Sequence, residues 1–160
     1  MKKQITIRLD ALHFLHRTLS ETGVVSRAEA RKQHTAFQCM NPHVERLVDG
    51  INALRKKHRE NKPRKDPQGN ETDNWVIPEV KKEQYEKEIN ELGATKVEVE
   101  FDVESFSVVS RAFDEMFKRQ QELEEKQLEK GETPTAGFSG PATMRLIEEV
   151  SGSLDGVRDA

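Results

Sequence analysis

One cysteine, Cys39, stands among 160 residues. A lone thiol cannot close a disulfide within the chain or build a multi-thiolate zinc site. With no matching His/Asp signature beside it, Cys39 reads as a small buried apolar side chain rather than a nucleophile. A reducing, cytoplasmic setting is the corresponding expectation. Long apolar runs are missing as well: nothing approaches the ~18–20 residues of a membrane span. The opening Met1-Lys2-Lys3 leads into alternation rather than an apolar leader, so neither a signal peptide nor a membrane contact is expected. Hydrophobic residues make up only 34% of the chain and charged residues another 34%. Counting glycine, the apolar share is roughly 40%, below the usual range of globular domains. One core is affordable if residues 61–74 and those beyond about 118 contribute little to it.

Catalytic patterns are absent too. There is no Gly-x-Gly-x-x-Gly, Walker sequence or nucleophile elbow, and the glycine pairs Gly137/Gly140 and Gly152/Gly156 lack a preceding strand. His13 and His16 share a helix face at i, i+3, but two ligands do not define a metal site. Paired carboxylates such as Glu98 and Glu100, or Glu124 and Glu125, fall on outward faces, where nothing shifts their pKa for acid–base work. No enzyme activity, cofactor or metal is expected.

What the chain does have is charge sorted by position. Residues 1–65 hold 15 Lys+Arg against 6 Asp+Glu, a formal +9; residues 66–160 hold 11 against 23, a formal −12. The densest run is 55–65, where Arg55, Lys56, Lys57, Arg59, Lys62, Arg64 and Lys65 place seven cations in eleven positions. A helix end followed by a basic arm is a phosphate-contacting device. The same run also complements a helix C-terminus. No aromatic stands between Phe37 and Trp75 to stack on a base, so nucleic-acid binding is the secondary reading.

The element pattern predicts an α+β fold, mainly helical with a small two-stranded antiparallel sheet. Ile5, Ile7 and Leu9 alternate with Thr6 and Arg8, as do Val97, Val99 and Phe101 with Lys96, Glu98 and Glu100. The two strands are expected to pair, with Arg8 and Lys2/Lys3 facing Glu98 and Glu100. Helical spacing follows Asp10 as N-cap (Leu12, Leu15, His16, Leu19), and Ser26 with Glu29 forms a capping box. At Asn41-Pro42 a break is expected ahead of a kinked continuous helix. Residues 61–74 read as an exposed flexible insertion and 79–92 as a helix with Val80, Tyr85, Ile89 and Leu92 inward. A long helix starts near Val103 and carries a solvated extension over 118–130. The expected organisation is a compact domain over 1–117, that extension, and a flexible tail over 131–160. Within the tail, 141–150 reads as a short amphipathic helix. Its Met144, Ile147 and Val150, tethered beyond the main core, are partner-binding candidates.

This order of elements, with Lys82-Glu-Gln-Tyr-Glu-Lys-Glu-Ile-Asn-Glu-Leu92 running into Val97-Glu-Val-Glu100, resembles small uncharacterised proteins of tailed bacteriophages. The resemblance spans about residues 5–117, and the 61–74 insertion and the 118–160 tail depart from it. Such proteins mostly lack an assigned activity, so no residue role carries over. The resemblance implies a viral origin and two roles: an accessory protein that inhibits or adapts a host machine such as a defence system, or a virion or tail-assembly component. Together the expectations are a non-enzymatic protein-binding module, with self-association into a homo-oligomer through opposite charges as a further one.

Overall fold

The computed structural model describes residues 2–21, 26–60, 63–72, 74–132 and 141–158. Two strands and five helices follow in the order β1 (Lys2–Arg8), α1 (Leu9–Glu21), α2 (Arg27–His58), α3 (Glu79–Gly93), β2 (Lys96–Asp102), α4 (Val103–Glu129) and α5 (Pro141–Arg158). The fold is α+β and mainly helical, and β1 and β2 form a two-stranded antiparallel sheet. Both strands alternate because only one face has a cover. Ile5, Ile7, Val97, Val99 and Phe101 are buried, while Gln4, Thr6, Glu98 and Glu100 are exposed. Against the buried face pack Leu12, Leu15 and Leu19 of α1, Ala36, Met40 and Leu47 of α2, and Phe106, Val109 and Phe113 of α4.

Register corrects the expected cross-strand charges. Arg8 lies opposite Lys96 and Thr6 opposite Glu98. Arg8 therefore turns away from its like-charged neighbour and bonds Asp10 through Nη2 at 2.8 Å. Of the expected pairs only Lys2–Glu100 forms, at 2.8 Å. Lys3 instead reaches the Val157 carbonyl, 3.2 Å away.

The expected break at Asn41-Pro42 is also corrected, because α2 runs unbroken through Pro42. A proline inside a helix costs roughly 3 kcal/mol, since the carbonyl one turn earlier loses its donor. Met40, Val44 and Leu47, all buried, flank it on the core side, and each is worth about 1.5–3 kcal/mol in burial. Asn41 does not cap a new helix. Its Oδ1 lies 2.8 Å from His16 Nε2, tying α1 to α2 at that turn. Ser26 caps α2 as read, accepting from the Glu29 amide at 3.2 Å. In α3, Tyr85, Ile89 and Leu92 are half-buried, but Val80 is 90% exposed in the first turn.

Within the expected insertion over 61–74, residues 63–72 and 74 are described, and they are not an open linker; 61, 62 and 73 lie outside the described residues. The Glu60 amide donates to Val76 O at 2.9 Å and the Arg64 amide to Asn74 O at 2.8 Å, while Lys65 and Glu71 form an antiparallel bridge. The turn at Asp66-Pro67-Gln68-Gly69 explains the reversal: proline presets its own φ, and Gly69 takes the left-handed φ of 85°. Asp66 Oδ1 accepts from the Asn70 amide at 2.8 Å. Backbone pairing needs no apolar side chains, so composition alone hid this hairpin.

The largest correction concerns the C-terminal segment. Instead of a flexible tail with a short helix, α5 is an 18-residue helix seated on β1 and α1. Ile147, Val150 and Leu154 are buried in the common core, with Leu146 and Val157 packed at its margin. Ser153 Oγ donates to Thr6 O at 2.9 Å, and Arg158 reaches Asp114 of α4 at 2.9 Å. Gly152 and Gly156 disguised the later turns, because each weakens helix propensity by about 1 kcal/mol. In α4, by contrast, the buried residues end at Phe113, and Leu123 and Leu128 are 50% and 61% exposed.

Leu154→Ala should lower unfolding free energy by about 2–5 kcal/mol, the range for truncating a fully buried leucine. Urea denaturation should show a reduced midpoint at unchanged slope. A loss under about 0.5 kcal/mol, ordinary for surface positions, would mean that α5 is not part of the core.

Candidate functional site

The 55–65 run straddles the end of α2 and the first arm of the hairpin, and the fold assigns its members different tasks. Arg55, Lys56, Lys57 and His58 make the last turn of α2, where cations favourably meet the negative end of the helix dipole. Lys57 is consumed by an ion pair with Glu88 of α3, at 2.9 Å. His58 is only 6% exposed. Its Nε2 hydrogen-bonds the other Glu88 oxygen, and its ring meets Tyr85 edge-on at 6.0 Å. His58, first of all, then Lys57 and Gln84, donate to this carboxylate and push its pKa down to about 2. Glu88 is thus a clamp between α2 and α3. Sequence reasoning passed over His58, whose signal was the Tyr85/Glu88 pair at i, i+3 on the facing helix.

Arg55, Lys56 and Arg59 point to the opposite side. With Asn52, Asn74 and Trp75 they line an open concavity of about 420 Å³. The Arg59 guanidinium lies 3.7 Å above the Trp75 ring, a cation–π contact that holds the hairpin's return arm against the helix end. Arg55 and Lys56 are exposed, and no carboxylate among the described residues pairs with them. The hairpin thereby supplies the aromatic that the linear sequence places ten positions beyond the basic run. Arg64 and Lys65 are exposed on the hairpin arm. Lys62 lies outside the described residues.

The candidates of α5 do not join this surface. Ile147 and Val150 are buried beneath α5 and unavailable to a partner, and of the three only Met144 is exposed, at 38%. The stripe that reads as a free docking face is the face that seals the core.

Nor does the charge sorting of the sequence survive intact in space. Lys2–Glu100, Lys32–Glu104 and Lys57–Glu88 pair the basic half with the acidic half inside one chain, and Glu29–Arg111 pairs them in the reverse sense. These contacts use up part of the charge that would drive head-to-tail self-association. They are mostly exposed and worth at most about 1 kcal/mol each.

Other chemistry-bearing residues are occupied or dispersed. The His16 ring packs against Phe37 at 4.9 Å. His13 lines a separate pocket of about 230 Å³ with Asp10, Phe14, Arg17 and Leu146, and burial lowers its pKa. Cys39 is half-buried, and burial pushes its thiol up. Among the described residues no group of three or more His, Cys, Asp or Glu is placed to hold a metal, and no helix is long and apolar enough to cross a membrane. The chain matches no protein-family model, no curated protein and no solved structure.

The clamp has a pH signature. A carboxylate whose folded pKa is depressed to about 2 from the ordinary 4.5 stabilises the fold above pH 4.5 and loses that contribution as pH falls toward 2. The urea midpoint should therefore decline over that interval. Glu88→Gln should be less stable at neutral pH and lose much of the decline; an unchanged acid limb would show that Glu88 is not the group responsible.

Proposed function

We propose that the chain is a non-enzymatic protein-binding module that grips an acidic surface of its partner with the concavity formed by Arg55, Lys56, Arg59 and Trp75. The observation that carries this reading is the grouping itself: two unpaired cations and a stacked Arg–Trp pair around one open hollow. Arg and Trp are the side chains that most often dominate binding energy when desolvated together. Lys and Arg at the rim speed encounter with an oppositely charged surface. Lys57 is spent on Glu88, so the run offers a compact patch rather than a continuous track. A compact patch suits a protein surface better than a phosphate backbone. In the version that the phage-protein resemblance favours, the partner belongs to a host machine and binding occludes its surface. The virion-assembly version differs only in the identity of that partner.

Nucleic acid is the second reading, favoured by Trp75 standing beside three cations, the arrangement that stacking of a base requires. Trp75 is the sole tryptophan, so its fluorescence reports on the hollow directly. The full chain would be titrated with an oligoglutamate peptide and, separately, with a single-stranded oligonucleotide. The peptide is expected to perturb Trp75 more strongly at equal charge, and Arg55→Ala/Lys56→Ala/Arg59→Ala should abolish the response. Tighter oligonucleotide binding, with log affinity falling by about 0.7 per phosphate neutralised against log salt, would replace the protein reading with the nucleic-acid one. No response to either would remove the hollow as the binding surface.

A further inference from the structure

The sheet has two edges, and they are treated differently. Hydrogen-bond phase is fixed by the Leu9 amide, which donates to Thr95 O at 2.9 Å just beyond the paired strands. In an antiparallel ladder, residues that exchange hydrogen bonds alternate with residues whose N–H and C=O point away. Given the register, Ile7–Val97, Ile5–Val99 and Lys3–Phe101 exchange bonds. The backbone groups of Gln4, Thr6 and Arg8, and of Lys96, Glu98 and Glu100, then point outward. The β1 side confirms this phase independently, since Thr6 O accepts from Ser153 Oγ of α5. That edge is covered.

The β2 edge carries no such bond, although α2 packs beside the strand. Among the described residues, no backbone or side-chain group bonds the N–H or C=O of Lys96, Glu98 or Glu100, and all three are exposed. An unpaired edge is a template for another strand. The side chains beside it restrict which strand fits. Lys96, Glu98 and Glu100 project to the solvent face, while Asp102 is half-buried as the cap of α4. The row that an added strand must lie against therefore offers Glu98, with no ion pair among the described residues, and Glu100, held only by the exposed Lys2. A second copy of β2 is a poor occupant. Antiparallel self-pairing sets a carboxylate opposite a carboxylate in every register that overlaps most of the strand, and like charges directly opposite are destabilising.

We propose that the free edge of β2 binds an extended basic segment of another protein by strand addition, with Lys or Arg at alternate positions opposite Glu98 and Glu100. Main-chain hydrogen bonds to the outward groups of Glu98 and Glu100 would supply affinity, and the two carboxylates would supply selectivity. The same carboxylates that guard against self-association thus act as the recognition row. This surface is distinct from the cationic hollow and does not depend on the function proposed for it.

The test titrates the full-length chain with an alternating lysine–threonine hexapeptide, followed by amide NMR and hydrogen exchange. The Glu98 and Glu100 amides should shift, and their exchange should slow by at least about tenfold at saturation as they become hydrogen-bonded. An alternating glutamate–threonine hexapeptide should leave them unchanged. Glu98→Pro removes one outward N–H without touching the ladder to β1, a position where an edge strand tolerates proline. It should weaken lysine-peptide binding by about tenfold or more, the size of one lost hydrogen bond. In Glu98→Lys/Glu100→Lys, with folding verified from the protected Val97 and Val99 amides, preference should reverse to the acidic peptide. Absence of protection at 98 and 100, or equal protection by both peptides, would overturn the proposal. Protection that rises with protein concentration alone would overturn it too, in favour of a second copy as occupant.

Discussion

A two-stranded sheet with one apolar face is unstable by itself, and the whole architecture answers that constraint. Ile5, Ile7, Val97, Val99 and Phe101 offer a buried surface only if helices close over it. Helices α1, α2 and α4 supply the lid, and α5 closes the flank along β1. Each fully buried aliphatic or aromatic side chain contributes about 1.5–3 kcal/mol. That common layer is what permits a proline inside α2 and two glycines inside α5. Local propensity is overruled wherever a residue on either side of the offending position reaches the same core.

Charge works at a different scale. The exposed pairs that stitch the basic half to the acidic half are individually weak and screened by salt. Their effect is geometric: they leave some cations engaged and others bare. Lys57 and His58 are held by Glu88, whereas Arg55 and Lys56, their neighbours on the same helical turn, face the hollow. Two adjacent pairs of residues thus divide between stability and contact. The 3.6-residue period decides which is which, because α3 covers only one side of the α2 terminus.

Much of this was legible in the order of residues, and the exceptions share a cause. Alternation at 4–9 and 95–101 specified strands and their inward faces, and Ser26 caps α2 where a polar side chain precedes helical spacing. Asp10, read as the cap of α1, instead lies inside its first turn, and the cap of α4 is Asp102, which accepts from the Ser105 amide at 2.7 Å. The Pro42 helix, the hairpin around Gly69 and the length of α5 were not legible. Each depends on contacts made elsewhere: the Met40–Leu47 packing, the backbone bridge between Lys65 and Glu71, and the Val150–Leu154 stripe under β1. For the site, the basic run was visible, but its aromatic partner was not. Trp75 reaches Arg59 only because the hairpin folds back. Conversely, Ile147 and Val150 looked free because nothing linear indicates that a stripe after a gap returns to the first strand.

That return has a bearing on how the chain is born. The first strand waits for a partner that begins at Lys96, and for a flank whose contacts extend from Ser153–Thr6 to Val157–Lys3. On the ribosome, therefore, the opening segment leaves the exit tunnel long before anything exists to cover it. The alternating polar row and leading lysines keep it hydrated meanwhile. Completion of the fold therefore waits until α5 has left the ribosome and can reach Thr6 and Lys3.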